Sequence, residues 1–152
     1  MQNMITSVIQ NNKQIKCEAG GVLNLKCESN GGNPAAKLEW KVNGIIIHSS
    51  KNLLSQSSDG TWRTESSITL PISKNDLNAH IVCQVVHKAL HFSLISETVL
   101  NVLFPPLVNT ILTPLKPFEE GDSVTLFCET VSNPPANISW KRIDYGNSLL
   151  IG

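Results

Sequence analysis

The chain has 152 residues, room for one domain of about 100 residues and part of a second, but not for two. Twelve Lys and Arg balance twelve Asp and Glu, so no net field draws nucleic acid or an anionic membrane surface. A hydrophobic content of 41 % with 16 % charged residues excludes a disordered or low-complexity chain. No apolar run approaches the ~20 residues that cross a bilayer as a helix, and residues 1–16 lack the apolar centre of a signal peptide.

Residues 1–16 are polar with scattered Met4, Ile5, Val8, Ile9 and Ile15, a pattern that predicts a weakly structured segment or an edge strand. After the turn at Glu18–Gly21, residues 22–28 alternate, with Leu23, Leu25 and Cys27 on one face and Asn24, Lys26 and Glu28 on the other. The turn formers of 29–34 lead to a second alternating strand, with Leu38, Trp40 and Val42 inward and Lys37, Glu39 and Lys41 outward. Asn43-Gly44 tolerates the positive φ of a tight hairpin, and Ile45-Ile46-Ile47 continues as the next strand. The polar stretch 51–60 reads as a loop or weak edge strand. Thr64–Ile72 restores the period of two with Ile68, Leu70 and Ile72 inward. A corner at Asn75–Ala79 precedes a strand whose inward residues are Ile81, Cys83 and Val85, and a polar hairpin at 87–91 leads to a last strand at 97–103. Many short strands punctuated by turns predict an all-β sandwich over 17–103.

Phe104-Pro105-Pro106 is then expected to be an extended linker, because prolines do not continue a sheet interior. Beyond it the opening of the chain repeats. Val124, Leu126 and Cys128 stand as Leu23, Leu25 and Cys27 do, Asn133-Pro134-Pro135-Ala136 follows as Asn33-Pro34-Ala35 did, and Trp140 arrives at nearly the earlier interval. Residues 107–152 therefore read as the first half of a second sandwich. Without an opposing sheet, Leu126, Ile138 and Trp140 would have nothing to bury against.

These residues resemble the immunoglobulin superfamily of cell-surface adhesion and recognition proteins. Cys27, Trp40 and Cys83 are spaced as in such domains, and Cys83-Gln84-Val85-Val86-His87 followed by Ala89-Leu90 resembles the strand-F signature of constant-type domains. Gly32-Asn33-Pro34-Ala35, Trp40-Lys41-Val42-Asn43-Gly44 and the two linker prolines are similar to nephrin, nectin-like and sidestep-type receptors. The resemblance implies a Cys27–Cys83 disulfide between the two sheets, with Trp40, and Trp140 in the repeat, as core tryptophans. It leaves Cys17 without a family partner and Cys128 to pair with a cysteine outside this chain. One departure is Ile81, where many members carry a tyrosine. A disulfide needs an oxidising compartment. The expectation is thus a portion of a longer extracellular or membrane-bound protein, held to a membrane only through a segment elsewhere.

No catalytic constellation is present: the serines lie in turns, and no nucleophile elbow or phosphate loop occurs. His87 and His91 with the scattered cysteines lack metal-ligand spacing, so neither metal nor cofactor is expected. Asn137-Ile138-Ser139 is a glycosylation sequon, with Asn137 turned outward if the strand alternates through it. The face that adhesion relatives commonly use would display Lys37, Glu39, Lys41, Val82, Gln84 and Val86. The resemblance implies a non-enzymatic module of an adhesion or guidance receptor that binds a cell-surface protein, homophilically or heterophilically. The alternatives are a passive spacer domain and a secreted immune-type binder.

Overall fold

The structure is a computed structural model that describes residues 4–8, 13–113, 117–144 and 147–151. The chain divides into two compact units, Met1–Leu103 and Phe104–Gly152.

Two sheets form the first unit. One has the order β1-β3-β7-β6, from Met4–Val8, Val22–Gly32, Trp62–Pro71 and Lys51–Gln56. In the other, β8 (His80–Val86) lies between β4 (Lys37–Val42) and the first half of β9 (Leu94–Thr113). β5 (Ile45–Ile47) extends it beyond β4, and β2 (Lys13–Glu18) pairs in parallel with β9 from Lys13↔Thr98 to Glu18↔Leu103.

Period-two alternation places the core where the residues predict it. Leu23, Leu25 and Cys27 of β3, Leu38 and Trp40 of β4, Ile68 of β7, and Ile81 and Cys83 of β8 are buried, joined by Leu100 and Val102 of β9. Each such aliphatic side chain contributes about 1.5–3 kcal/mol on burial. Cys27 and Cys83 form a disulfide between the sheets, their Cα atoms 6.4 Å apart. The indole of Trp40 is sealed beside it, and its Nε1–H donates to Ser66 Oγ on the facing sheet at 2.9 Å. Thr64 Oγ1 donates to the Ala36 carbonyl at 3.0 Å, and the Thr98 hydroxyl donates to that of Lys13. Among the described residues no buried side-chain nitrogen or oxygen lacks a partner, which removes the main cost of polar groups in a core.

The turns follow local chemistry. Asn43 and Gly44 have φ of 49° and 82°, the left-handed pair of a two-residue hairpin joining β4 to β5. The stretch expected as a loop or weak edge strand contains β6, which pairs with β7 from Lys51↔Ser67 to Gln56↔Trp62 although all six of its residues are exposed. Four of its six residues are polar, as fits an outermost strand with no sheet beyond it, and Leu53 and Leu54 stand exposed among them.

In the second unit, residues 107–113 of β9 pair with β10 (Thr125–Asn133) from Val131↔Leu107 to Thr125↔Thr113. The pairing then breaks and resumes at Asn133↔Phe104, so Pro105 and Pro106 sit at an irregularity where no ladder N–H is demanded of them. β11 (Trp140–Asp144) and β12 (Asn147–Ile151) form a hairpin. None of the unit's residues whose side chains are described is buried. No helix among the described residues is long and apolar enough to cross a membrane.

Candidate recognition face

The register brings the six expected interface residues together as cross-strand pairs. Lys37 lies opposite Val86, Glu39 opposite Gln84, and Lys41 opposite Val82, all with the parity that points away from the core. Lys37 Nζ and Glu39 Oε1 are 2.7 Å apart, and this contact holds the Glu39 carboxyl below the usual carboxylate range.

β9 adds residues that the sequence reading left out. Val82 faces Glu97 and Gln84 faces Ile95, and Ile95 is 57 % exposed. On the other side Lys41 faces Ile46, which is 46 % exposed. Starting the last strand at Glu97 hid Ile95. The residues carry no signal for it, since Leu94-Ile95-Ser96-Glu97-Thr98-Val99 does not alternate, and its place on the face follows only from the pairing with β8. Glu97 Oε1 meets His80 Nδ1 at 2.5 Å on the same face.

The outer face of the opposite sheet is different in kind. Asn24, Lys26 and Glu28 of β3 face Thr69, Ser67 and Glu65 of β7. Arg63 reaches Glu28 at 2.6 Å and Glu65 at 2.9 Å, and its guanidinium pulls the Glu28 carboxyl down from its ordinary value. One broad face is thus a solvated charge network with a single exposed leucine, Leu53 opposite Glu65, at its edge, and the other sets Ile46, Val82, Val86 and Ile95 among two lysines and two glutamates.

The loop after β8 is tied down by His87. Its Nε2 lies 2.7 Å from the Pro34 carbonyl, while its Nδ1 accepts from the Ala89 N–H at 3.1 Å. Since Nδ1 accepts, Nε2 carries the proton and donates. The same loop presents Phe92, 87 % exposed.

The remaining expected sites lie elsewhere. Cys17 is buried in β2 opposite Val102 with a free thiol, and burial pushes its pKa up. Cys128 is a half-buried free thiol in β10, and Trp140 is half-buried at the start of β11. Asn137 is exposed in the segment between β10 and β11. That segment is not a strand, so the alternation expected to turn Ile138 inward does not operate, and Ile138 is 49 % exposed. Among the described residues, no group of three His, Cys, Asp or Glu could hold a metal ion.

Residues 6–93 match the CD80-like C2-set immunoglobulin domain family. The chain belongs to that family. Curated relatives of this C2-set chain include cell adhesion molecule 3 of Xenopus laevis, 31 % identical over 121 residues that cover 78 % of this chain and 30 % of that protein. Cell adhesion molecule 3 of Homo sapiens matches with the same identity and coverage. Cell adhesion molecule 2 of Xenopus tropicalis is 32 % identical over 127 residues, 81 % of this chain and 29 % of the relative. The C2-set chain therefore spans about 30 % of the length of these adhesion molecules. Among solved structures, the ectodomain of mouse nectin-like molecule 4 (Ig1–Ig3) superposes with a TM-score of 0.64 at 23 % identity, covering 87 % of this chain and 44 % of that one. Rst D1-D2 superposes at 0.56 and 20 % identity over 59 % of this chain and 44 % of that one, and both likenesses establish the immunoglobulin sandwich. The expected resemblance to nectin-like adhesion receptors is upheld, and the family is one of immunoglobulin-domain adhesion molecules, not a family of enzymes.

Proposed function

We propose that this chain is a recognition module in the ectodomain of a cell-surface adhesion receptor, and that it binds another cell-surface protein through the outer face of β5, β4, β8 and β9. The observation that carries the reading is the contrast between the two broad faces. Four outward apolar side chains, Ile46, Val82, Val86 and Ile95, run across adjacent strands on one, while the other carries Leu53 at its edge beside charges bridged by Arg63. A passive spacer has no use for that asymmetry. The Cys27–Cys83 disulfide supports placement outside the cell, where such bridges persist. The repeated motif supports reading residues 17–103 as one complete domain and 107–152 as opening strands of another, with β10 and β11 in the places of β3 and β4.

The test is a binding screen of the whole chain against arrayed cell-surface ectodomains, this chain included, repeated with Val82→Lys. A charge inserted at the centre of the face is expected to weaken any specific interaction by at least about tenfold. A partner that binds the variant as well as the wild type would remove this face from consideration and return the domain to a spacer role.

A further inference from the structure

The outer face of the β1-β3-β7-β6 sheet shares out its charges unevenly. Arg63 holds both carboxylates of the β3–β7 pair, Glu28 at 2.6 Å and Glu65 at 2.9 Å. Two residues further along the strands, one register row carries cations alone: Lys26 on β3 faces Ser67 on β7, and Lys51 on β6 faces Ser67 from its other side. Among the described residues neither lysine has an ion-pair or hydrogen-bond partner for its ammonium, and the Ser67 hydroxyl has none either. Lys26, Lys51 and Ser67 line a single depression of about 190 Å³, together with Leu53, Glu65 and Ser66. We propose that this depression binds a tetrahedral oxyanion, the sulfate or phosphate ester of a sugar, with the two ammonium groups and the Ser67 hydroxyl as its donors. The site lies on the sheet opposite the recognition face and stands or falls independently of it.

The spacing suits one such group. Neighbouring strands lie about 4.8 Å apart, so the two lysine Cα atoms flank Ser67 at roughly 10 Å from each other. Each ammonium sits on a flexible four-carbon stem with rotatable donors and can lean over the central strand to share an anion with the other. Like charges keep the two apart unless an anion lies between them. Ser67 is half-buried, so its hydroxyl forms the floor between the lysines, while Ser66 turns into the core and gives its oxygen to Trp40. Glu65 is the one carboxylate in the lining, and Arg63, which holds it, stands two residues beyond it on the side away from Ser67. Donors placed to the left, to the right and below suit an ion whose oxygens point in several directions, whereas a planar carboxylate is matched by the fork of an arginine. A water takes up ~30 Å³ in the liquid, so the depression has room for the oxyanion and part of the body that carries it. Leu53, 69 % exposed, supplies an apolar wall for the C–H face of a sugar ring, and β6 is the outermost strand, so a sugar chain can run on past the edge of the sheet.

Titration of the whole chain, followed by amide chemical shifts, tests this. The probes are a fully sulfated glycosaminoglycan tetrasaccharide and glucose 6-phosphate, and the tighter of the two identifies the ester. The amides of Lys26, Lys51 and Ser67 are expected to shift together. Removing the sulfates from the tetrasaccharide while leaving its carboxylates should weaken binding by at least about tenfold. Lys26→Gln and Lys51→Gln should each weaken it by about tenfold and Ser67→Ala by about threefold, while Lys88→Gln, in the loop after β8, keeps the wild-type affinity. Both site lysines are exposed, so their variants retain the fold, which tryptophan fluorescence checks. Added salt should loosen the complex. Equal losses in all three lysine variants would reveal attraction to charge at large and overturn the site, as would shifts centred elsewhere on the chain or no shift with either probe at millimolar concentration. Inorganic sulfate should shift the same amides more weakly, and sulfate that binds as tightly as the esters overturns the sugar. Vesicles carrying a phosphomonoester lipid that bind the chain while both sugar probes fail would assign the anion to a membrane, and that too overturns the proposal.

Discussion

Ser66 shows how much one small side chain decides. It sits in the middle of β7, 1 % exposed, where an alternating strand would ordinarily carry an aliphatic residue. Its hydroxyl accepts from the Trp40 indole, a donor that has no water to turn to. Ser66→Ala should therefore cost about 1–3 kcal/mol, the penalty of an unsatisfied buried donor, despite its nearly unchanged volume. Urea denaturation followed by tryptophan fluorescence measures it, and a loss below about 0.5 kcal/mol would mean that the indole has found another partner. Residue types make Trp40 legible as core, since a large apolar ring recurs in phase with Leu38 and Val42. They leave Ser66 illegible, because a serine reads as surface until its cross-sheet neighbour is known.

Pairing between strands explains the next level. Glu28 and Glu65 are direct partners across β3 and β7, an arrangement unfavourable by itself, and Arg63 bridges both. The hydrogen bond and charge of Arg63 depress the Glu28 carboxyl in the folded state relative to the unfolded one. The stability from this pair is therefore present above the ordinary glutamate pKa of about 4.3, and is lost as pH falls through the lower folded value. Urea midpoints at pH 7 and pH 3 should differ more for the wild type than for Arg63→Ala. In the variant, protonation relieves repulsion instead of breaking an attraction, and equal differences would show that the bridge is broken in solution. Strand β6 belongs to the same scale. Lys51–Gln56 has no alternation to announce it, and forms because β7 offers a ladder edge. Central strands were readable because both the core face and the solvent face leave a mark on the residues. An edge strand with every residue exposed leaves none. Ile95 and Glu97 joined the recognition face for a related reason, since membership depends on which strands are neighbours.

At the scale of the molecule, the two units have unequal means of standing alone. The first closes two sheets over Trp40 and ties them with a bridge spanning 56 residues, a loop whose closure is worth about 4 kcal/mol in the chain-entropy account. The second has strand pairs, and Leu107, Val108, Leu126, Phe127 and Val131 remain exposed. Residues 107–152 produced alone are therefore expected to melt without a cooperative transition, while residues 1–106 unfold cooperatively; calorimetry distinguishes them. A sharp heat-absorption peak from 107–152 would show that those side chains find a core of their own. The repeat of motifs made the second unit visible in the sequence, but motifs describe what a strand can pair with, not whether a facing sheet is supplied.

Cys17 carries a consequence for how the first unit keeps its covalent form. Exchange requires a thiolate that can reach a sulfur, and this thiol is both walled in opposite Val102 and held protonated by its surroundings. A domain with three cysteines can in principle cycle among three one-bridge isomers. Folding removes the third sulfur from that competition, so the Cys27–Cys83 bond, once made, outlasts the chemistry that made it and needs no reductant-free surroundings to be protected from its own neighbour.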